Sequence, residues 1–265
     1  MATSITNTSV TTNNLIGDNL TTDTITADTN TIKVDATNNR VGIGTATPTK
    51  VLDITQSTSD DNANVKLTYA GGDGNRAGFI LKNTHTGGRE YGIYAGNNAT
   101  GGGLGNSLGI SDNTASTAYR LIIDSAGRVT MPNQPAWWAQ TYNTFSFNAT
   151  GTLEFNSTNV GMAEKLDIGN NYNPTTGRFT APVAGTYFVM LTCSASYGSN
   201  YLYLYIMKNG SDIISRNYAQ NSQYLEQTLQ VVTTLAVGDY VSCKTEKNYV
   251  GGALYGPSFC GFLIG

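Results

Sequence analysis

The sequence predicts an all-β protein, and three observations lead to that prediction. Charged residues make up only 12% of the chain, about half of their usual share in globular proteins, which disfavours long solvated helices. The apolar runs are short, rich in β-branched and aromatic side chains, and often alternate with polar residues. Glycine, asparagine and proline separate these runs as turns separate strands. The length of 265 residues leaves room for about two domains.

A change in composition near residue 131 divides the chain. Both tryptophans and all three cysteines follow that point. Few aromatic residues precede it: Tyr69, Phe79, Tyr91, Tyr94 and Tyr119. We therefore predict a head over residues 132–265, whose large side chains can fill a core. A small β-rich fibre domain over residues 40–131 and an extended attachment or shaft segment over residues 1–39 should precede it.

Residues 1–39 are rich in Thr, Asn and Asp and carry isolated apolar residues at no helical spacing. One copy cannot close a core with so few apolar groups. The segment is therefore either disordered or one strand of a shaft in which several copies share an axis. Between residues 40 and 129, turn signals separate strand candidates over residues 51–54, 65–69, 77–82, 90–95, 107–111 and 119–124.

Strand candidates are denser after residue 144, and turn residues at 173–174, 182–185, 209–210 and 237–239 separate them. About ten strands without helices predict a sandwich of the jelly-roll kind. Within it, Asp167, Tyr172, Phe179, Gly185 and Tyr187 follow the spacing Asp-x4-Tyr-x6-Phe-x5-Gly-x-Tyr.

This spacing resembles the globular head of the C1q family, which shares the jelly roll of tumour necrosis factor. The resemblance runs from Pro135 to the end of the chain and includes Leu235-Ala-Val-Gly-Asp239. Three positions depart from the family pattern: Gly161, Val189 and Leu191. The resemblance implies a ten-stranded jelly roll that forms a tight homotrimer and binds a ligand at its outer surface.

Residues 40–54, RVGIGTATPTKVLDI, resemble a segment of bacteriophage tail-fibre and other virion-fibre proteins. Residues 121–131 resemble the strand that often closes such units. The resemblance implies a virion fibre and says nothing about chemistry.

The run from Tyr201 to Lys208 alternates Tyr or Met with Leu or Ile, so both faces of the predicted strand are apolar. A jelly-roll strand turns one face toward its own core, and the other must meet another sheet, another subunit or a ligand. We therefore predict a homotrimer with these residues in its interface: Phe188, Met190, Tyr201, Tyr203, Tyr205 and Met207. The alternative is one thick core within a single chain.

Alternating strand direction predicts where the connections lie. Turns at residues 182–184, 209–210 and 237–238 should share the end where the chain enters the head, and the connections at 197–200, 218–224 and 248–255 should form a free tip. The tip is rich in Tyr, Asn and Gln, which stack on sugars and hydrogen-bond to hydroxyls. The predicted receptor-binding residues are Tyr197, Ser199, Asn200, Tyr218, Gln220, Asn221, Tyr224, Tyr249 and Tyr255. The alternative is that Tyr and Asn are simply frequent throughout the chain.

The sequence predicts that the protein is not an enzyme, and no catalytic residue is assigned. Gly105-Asn-Ser-Leu-Gly109 fits a nucleophile elbow, but the only histidine, His85, precedes it. One histidine and three separated cysteines do not build a zinc cage, and no metal ligand is assigned. No cofactor is predicted. Calcium is bound by some members of the head family, but its ligands cannot be assigned here.

A net charge of −3 with scattered Lys and Arg argues against a nucleic-acid partner, and no run is long enough for membrane insertion. The cysteines are predicted to be free buried thiols. The start of the chain has no apparent secretory signal.

We therefore expect a homotrimeric bacteriophage tail fibre on the virion surface, made in the host cytoplasm. Its N-terminus should contact other virion proteins, and its head should bind a host-surface glycan or protein. Three alternatives are a capsid decoration or cement protein, a glycan depolymerase and a bacterial adhesin.

Overall fold

The computed structural model describes residues 26–27, 32–55, 65–68, 76–96, 105–115, 118–146, 151–196, 198–222, 225–247 and 252–265. These residues form strands β1 to β21 and one 3-10 turn, Asn113–Ala115, with no α-helix among them, so the all-β prediction is confirmed. Contacts divide the chain into two compact units, Met1–Thr68 and Tyr69–Gly265. The predicted boundaries after residues 39 and 131 stay predictions.

The first unit contains a sheet of β1 (Thr26–Ala27), β2 (Ile32–Asp35), β3 (Arg40–Ile43) and β4 (Leu52–Ile54), in that order. Strands β3 and β4 are parallel. Gly44 follows β3 with a φ of 75°, and a Cβ there would clash with the carbonyl oxygen of Thr55. The turn after Val-Gly-Ile therefore needs this glycine. The strand predicted over residues 65–69 is wrong for residues 65–68, which have no regular structure.

A second sheet, here called the middle sheet, is an antiparallel meander of five strands in chain order. They are β5 (Arg76–Lys82), β6 (Glu90–Gly96), β7 (Leu108–Asp112), β8 (Ala118–Ile123) and β9 (Val129–Thr130). The predicted strands over residues 77–82, 90–95, 107–111 and 119–124 are confirmed to within one residue at each end.

The head is a sandwich of two six-stranded sheets. Sheet I has the order β13-β10-β21-β16-β19, with β11 paired to β21, and sheet II has the order β14-β15-β20-β17-β18, with β12 paired to β20. The strands of sheet I are β10 (Ala136–Gln140), β11 (Thr144–Ser146), β13 (Ala163–Ile168), β16 (Gly185–Ser196), β19 (Leu225–Leu235) and β21 (Ala253–Leu263). The strands of sheet II are β12 (Gly151–Glu154), β14 (Tyr172–Asn173), β15 (Arg178–Thr180), β17 (Gly198–Lys208), β18 (Asp212–Ser222) and β20 (Tyr240–Lys247). The jelly-roll prediction is confirmed, but the count of ten is wrong because short strands such as β10 and β14 have no clear periodicity.

Three residues of the Asp-Tyr-Phe-Gly-Tyr pattern, Tyr172, Phe179 and Tyr187, lie in the core of the head, and Asp167 shapes a turn beside it. The Asp167 carboxylate accepts hydrogen bonds from the backbone N–H groups of Asn171 and Tyr172, at 2.9 and 2.8 Å, and so shapes the turn before β14. Phe179 stacks on Trp137 with ring centroids 3.8 Å apart. The Tyr187 hydroxyl donates to the carbonyl oxygen of Val183 at 2.9 Å. These residues therefore determine the fold of the head and leave binding to its surfaces.

The predicted placement of the turns is confirmed at the end of the sandwich next to Pro135, here called the linker end. The Asp239 carboxylate accepts hydrogen bonds from the side chain of Asn209, at 2.8 Å, and from the backbone N–H of Ala236, at 2.9 Å. It also pairs with Lys208 at 2.9 Å. The backbone N–H of Ala181 donates to the Asp239 carbonyl at 2.8 Å, which joins the third turn.

These contacts predict a loss of stability in acid. The hydrogen bonds from Asn209 and Ala236 and the charge of Lys208 lower the pKa of Asp239 from its ordinary value of 3.8 to about 2. A lowered pKa stabilises the folded state above the ordinary value, and that contribution disappears as the pH falls from about 4 to about 2. We expect Asp239→Asn to flatten the pH dependence of the unfolding temperature in that window. An identical slope in both proteins, measured by circular dichroism, would contradict this role of Asp239.

Candidate functional site

Sheet I presents an apolar surface on its outer side, here called the apolar face. In register across four strands, Ala136 lies opposite Phe262, Phe262 opposite Phe188, and Phe188 opposite Val232. The next register line joins the apolar side chains of Leu166, Trp138, Cys260 and Met190 and ends at the uncharged Gln230. Four of these residues are exposed aromatic or aliphatic groups, Trp138, Leu166, Val232 and Phe262, and Phe188 and Met190 are half-buried. Neither line carries a charged residue, so this part of the head favours contact with another apolar surface.

Two of the predicted interface residues, Phe188 and Met190, belong to this face. Sequence reasoning did not find Trp138, Leu166, Val232 or Phe262. The adjacent pair Trp137-Trp138 was an available signal, since neighbouring strand residues point to opposite sides and both cannot enter one core. Trp137 is buried, and Trp138 is exposed with its Nε1 donating to Ser258 Oγ at 2.9 Å.

Toward the end opposite Pro135, here called the far end, the outer side of sheet I becomes polar. An open depression of about 420 Å³ lies there, lined by Thr192, Cys193, Ser194, Glu226, Gln227, Thr228, Tyr255 and Gly256. Tyr255 was predicted in a tip loop, and this is wrong, because it is a half-buried residue of β21 paired with Ser194. It therefore belongs to the wall of this depression.

The outer side of sheet II carries a group of four tyrosines, here called the tyrosine cluster: Tyr201, Tyr203, Tyr205 and Tyr218. The ring of Tyr203 lies 5.0 Å from that of Tyr218, 5.3 Å from that of Tyr201 and 5.9 Å from that of Tyr205. Charged groups border the cluster, since Lys244 Nζ lies 5.7 Å from the Tyr205 ring and the Tyr205 hydroxyl donates to Glu246 at 3.1 Å. Burial and this hydrogen bond raise the pKa of Tyr205 to about 12, so its phenol stays protonated.

The predicted alternation in β17 is confirmed, because Leu202, Leu204 and Ile206 lie in the core of the sandwich. We expected the outward residues of β17 to need a second subunit to cover them, and this is wrong for two of them. Within one protomer, Tyr205 is only 7% exposed and Met207 only 2% exposed. Cross-strand neighbours such as Arg216 and Lys244 already flank Tyr205.

The predicted receptor residues are only partly brought together. Tyr218, Gln220 and Asn221 lie within β18, which continues to Ser222, so the predicted loop over residues 218–224 is largely strand. Ser199 and Asn200 lie within β17. Tyr197, Tyr224 and Tyr249 lie outside the described residues. Of the nine, Tyr218 has a described side chain that is exposed and joins the tyrosine cluster.

A second depression, of about 470 Å³, is lined by Glu164, Asn170, Asn171, Tyr172, Asn173, Pro174, Thr180, Ala181 and Pro182. Burial raises the pKa of Tyr172, so its hydroxyl remains neutral and does not act as a base. The amides around it serve the local turn, since Asn171 Nδ2 donates to the Ile168 carbonyl at 3.1 Å and Asn173 Oδ1 accepts from the backbone of Thr175 at 2.9 Å.

The segment Gly105–Gly109 does not have the structure of a nucleophile elbow. Ser107 precedes strand β7, so the Gly105–Gly109 segment is not a strand-to-helix turn. The three cysteines are free, as predicted, with Cys193 and Cys243 buried and Cys260 half-buried. Burial raises the pKa of Cys193 to about 12, which keeps this thiol protonated.

Among the residues that the structure describes, no three His, Cys, Asp or Glu side chains come together as metal ligands. In the same part of the chain, no helix has the length and apolar character needed to cross a bilayer. The calcium hypothesis stays untested.

Comparison with known proteins shows relatives of part of this chain. The chain is 30% identical over 128 residues to complement C1q tumor necrosis factor-related protein 3 of Homo sapiens, which covers 45% of this chain and 50% of the relative. The protein of the same name from Mus musculus matches with the same values. The chain thus spans about half the length of the curated relatives it matches.

Solved structures with similar folds include the globular domain of zebrafish complement 1qA protein, at 23% identity and a TM-score of 0.39, covering 50% of this chain and 98% of that one. They also include the PRD1 vertex protein P5, at 15% identity and a TM-score of 0.38, covering 50% of this chain and 98% of that one. Residues 136–264 match the family model of the C1q domain. With two packed antiparallel sheets and Tyr172, Phe179 and Tyr187 in its core, this part of the chain forms a jelly-roll head that is similar to the C1q domain.

Proposed function

We propose that the protein is a homotrimeric surface fibre of a bacteriophage particle, attached through its N-terminal part, whose head binds a glycan on the host cell surface. The observation that carries the proposal is the difference between the two outer sides of the head. One is apolar and free of charge over two register lines, and the other combines tyrosines with charged groups.

Self-association through sheet I fits this difference. C1q-like domains form homotrimers, and the apolar face is the described surface of the head that is best suited to exclude water. A closed ring of three subunits joins two surfaces of each protomer that are inclined toward the axis, so opposite sides of one sandwich cannot both be the contact. We therefore assign Phe188 and Met190 to the trimer interface. Tyr201 and Tyr203 then remain on the outside of the trimer.

The assignment to a virion depends on the first unit. The segment over residues 40–54 resembles virion-fibre proteins, and its hydrogen bonds hold a short connection between the parallel strands β3 and β4. Arg40 donates to the carbonyl oxygen of Pro48 at 2.8 Å, and the backbone N–H of Thr49 donates to Asp53 at 2.8 Å. Attachment to other virion proteins through the N-terminal part follows from this resemblance.

The tyrosine cluster supports glycan binding at the outside of the trimer. Exposed tyrosine rings stack on the apolar faces of sugars, and their hydroxyls and the neighbouring Glu246 supply hydrogen-bond partners. Tyr201, Tyr203 and Tyr218 lie toward the far end of β17 and β18. A single site of millimolar affinity is weak, but three linked sites raise the apparent affinity by about 10² to 10⁴.

We expect the purified protein to compete with intact particles for adsorption to host cells, and Tyr218→Ala to require at least a tenfold higher concentration for the same competition. Tyr142→Ala is the matched control, because Tyr142 is also an exposed tyrosine of the head but lies outside the cluster. Both variants should keep the mass of a trimer in light scattering. A protein that binds particles but never competes for cells would be a decoration protein, and equal competition by both variants would contradict a role of the tyrosine cluster.

A further inference from the structure

The middle sheet covers one of its two faces with its own side chains. The Tyr94 ring lies flat over Gly78 and Gly92, where a Cβ at either position would clash with it. Asn113 donates to the Tyr94 hydroxyl at 2.8 Å, and the Arg76 guanidinium lies 4.2 Å from the ring centroid. Contacts within the sheet therefore hold the Tyr94 ring over the glycines of this face.

The opposite face is apolar and uncovered. Phe79 lies opposite Ile93, Ile93 opposite Ile110, and Ile110 opposite Leu121. The neighbouring register line is also apolar and consists of Ala77, Ala95, Leu108, Ile123 and Val129. The exposed large side chains of this face are Phe79, Leu81, Tyr91, Ile93, Leu108 and Val129. Together they leave several hundred Å² of apolar surface in water, which is at the upper limit for a monomeric protein.

Charge is confined to one edge of this apolar face. The buried Asp112 carboxylate pairs with Arg89 and, at 3.2 Å, with Arg120. Both arginines stay partly exposed. The two apolar register lines beside them contain no ionisable group. Identical copies of this part of the face can therefore come into contact without charge repulsion.

The link to the head limits what can cover the face. Residues 131–135 join β9 to β10, and five residues reach at most roughly 17 Å. Asn133 donates to the Tyr119 carbonyl of the middle sheet at 3.3 Å, and Gln134 donates to the Leu263 carbonyl of the head at 2.6 Å. A trimer of heads therefore holds three middle sheets close together, at the high effective concentration of a short tether.

We infer that the apolar face of the middle sheet is a second self-association surface, which packs against the same face of two further copies of this chain. The inference rests on the proposed trimer and adds a second contact between its chains, at the middle sheets that precede the heads. Three such faces around one axis form a dry core, with the Tyr94 side of each sheet turned to water. The middle sheet is then a folded part of the fibre shaft and not a passive spacer.

Neighbouring residues of β5 provide a matched test. Phe79 is 50% exposed on the apolar face, and Ile80 is 58% exposed on the opposite face. In the full-length protein we expect Phe79→Glu to raise the concentration at which half of the trimer dissociates by at least tenfold, because three carboxylates would meet at the axis. Ile80→Glu should leave that concentration unchanged. Analytical ultracentrifugation over a dilution series measures both.

A photo-reactive phenylalanine analogue keeps the test valid if Phe79→Glu fails to fold. At position 79 it should cross-link chains into dimers and trimers, and at position 80 it should not. A trimeric wild type with no cross-links between chains at position 79, or with equal effects of the two glutamates, would overturn the second surface and leave the proposed head trimer intact. A monomeric wild type would overturn the proposed trimer itself.

Discussion

Replacing Phe262 with glutamate is expected to weaken the trimer about 100-fold or more in its half-dissociation concentration. Phe262 is 48% exposed in the single protomer, so association can still bury about half of its ring. At about 25 cal/mol per Å², losing roughly 80 Å² of burial costs about 2 kcal/mol per subunit, and thus about 6 kcal/mol per trimer. The midpoint concentration varies as the square root of the trimer dissociation constant, which gives the factor of about 100.

Ile213→Glu is the matched control for this change. Ile213 is 46% exposed, but it pairs with Met207 on the outer side of sheet II. Sedimentation over a dilution series should show a normal trimer for this variant. The reverse result, a weak trimer for Ile213→Glu and a normal one for Phe262→Glu, would place the contact on the side of Tyr201, Tyr203 and Met207.

Periodicity in the sequence was sufficient to identify the core-facing side of β16 and β17. Alternation in β16 and β17 correctly separates buried residues such as Leu191 and Leu204 from outward ones. Strand parity correctly places the turns beside Asp239 at the linker end. Both inferences need only the two-residue repeat of a strand and the reversal of direction between strands.

The assignment of outward residues to a common surface could not be made in the same way. Strands β16 and β17 follow each other in the chain, but they belong to different sheets of the sandwich. Their outward residues, such as Phe188 and Tyr203, therefore lie on opposite sides of the head. The sequence prediction had placed them in the same interface. Alternation distinguishes core-facing residues from outward ones. Only the order of strands in the two sheets shows on which outer side of the sandwich an outward residue lies.

The pair of adjacent tryptophans also shows why Trp138 and its neighbours on the apolar face were not predicted. A five-residue strand such as β10, with Trp137 and Trp138 side by side, has no visible alternation of apolar and polar residues. Its place between β13 and β21 is determined by pairing with residues far away in the sequence. Such long-range pairing has no signature in a single sequence.

Replacing Trp137 with alanine should have a large effect on the stability of the head. Its buried ring stacks on Phe179 and lies against Gly261, where a Cβ would clash with it. Removing a fully buried tryptophan costs about 4 kcal/mol, which is a large part of the stability of a domain of this size. Urea unfolding followed by circular dichroism should show this loss at every protein concentration, because the cavity lies within one protomer.

Trp138→Ala removes the same side chain from the next position and tests the opposite expectation. Trp138 lies on the apolar face, so its loss should lower the unfolding midpoint at protein concentrations at which the wild type is a trimer, and should leave the midpoint nearly unchanged at concentrations at which both proteins are monomers. If both variants lost similar stability without any concentration dependence, Trp138 would be a residue of the protomer fold. The apolar face would then lose its largest side chain as a contact between subunits.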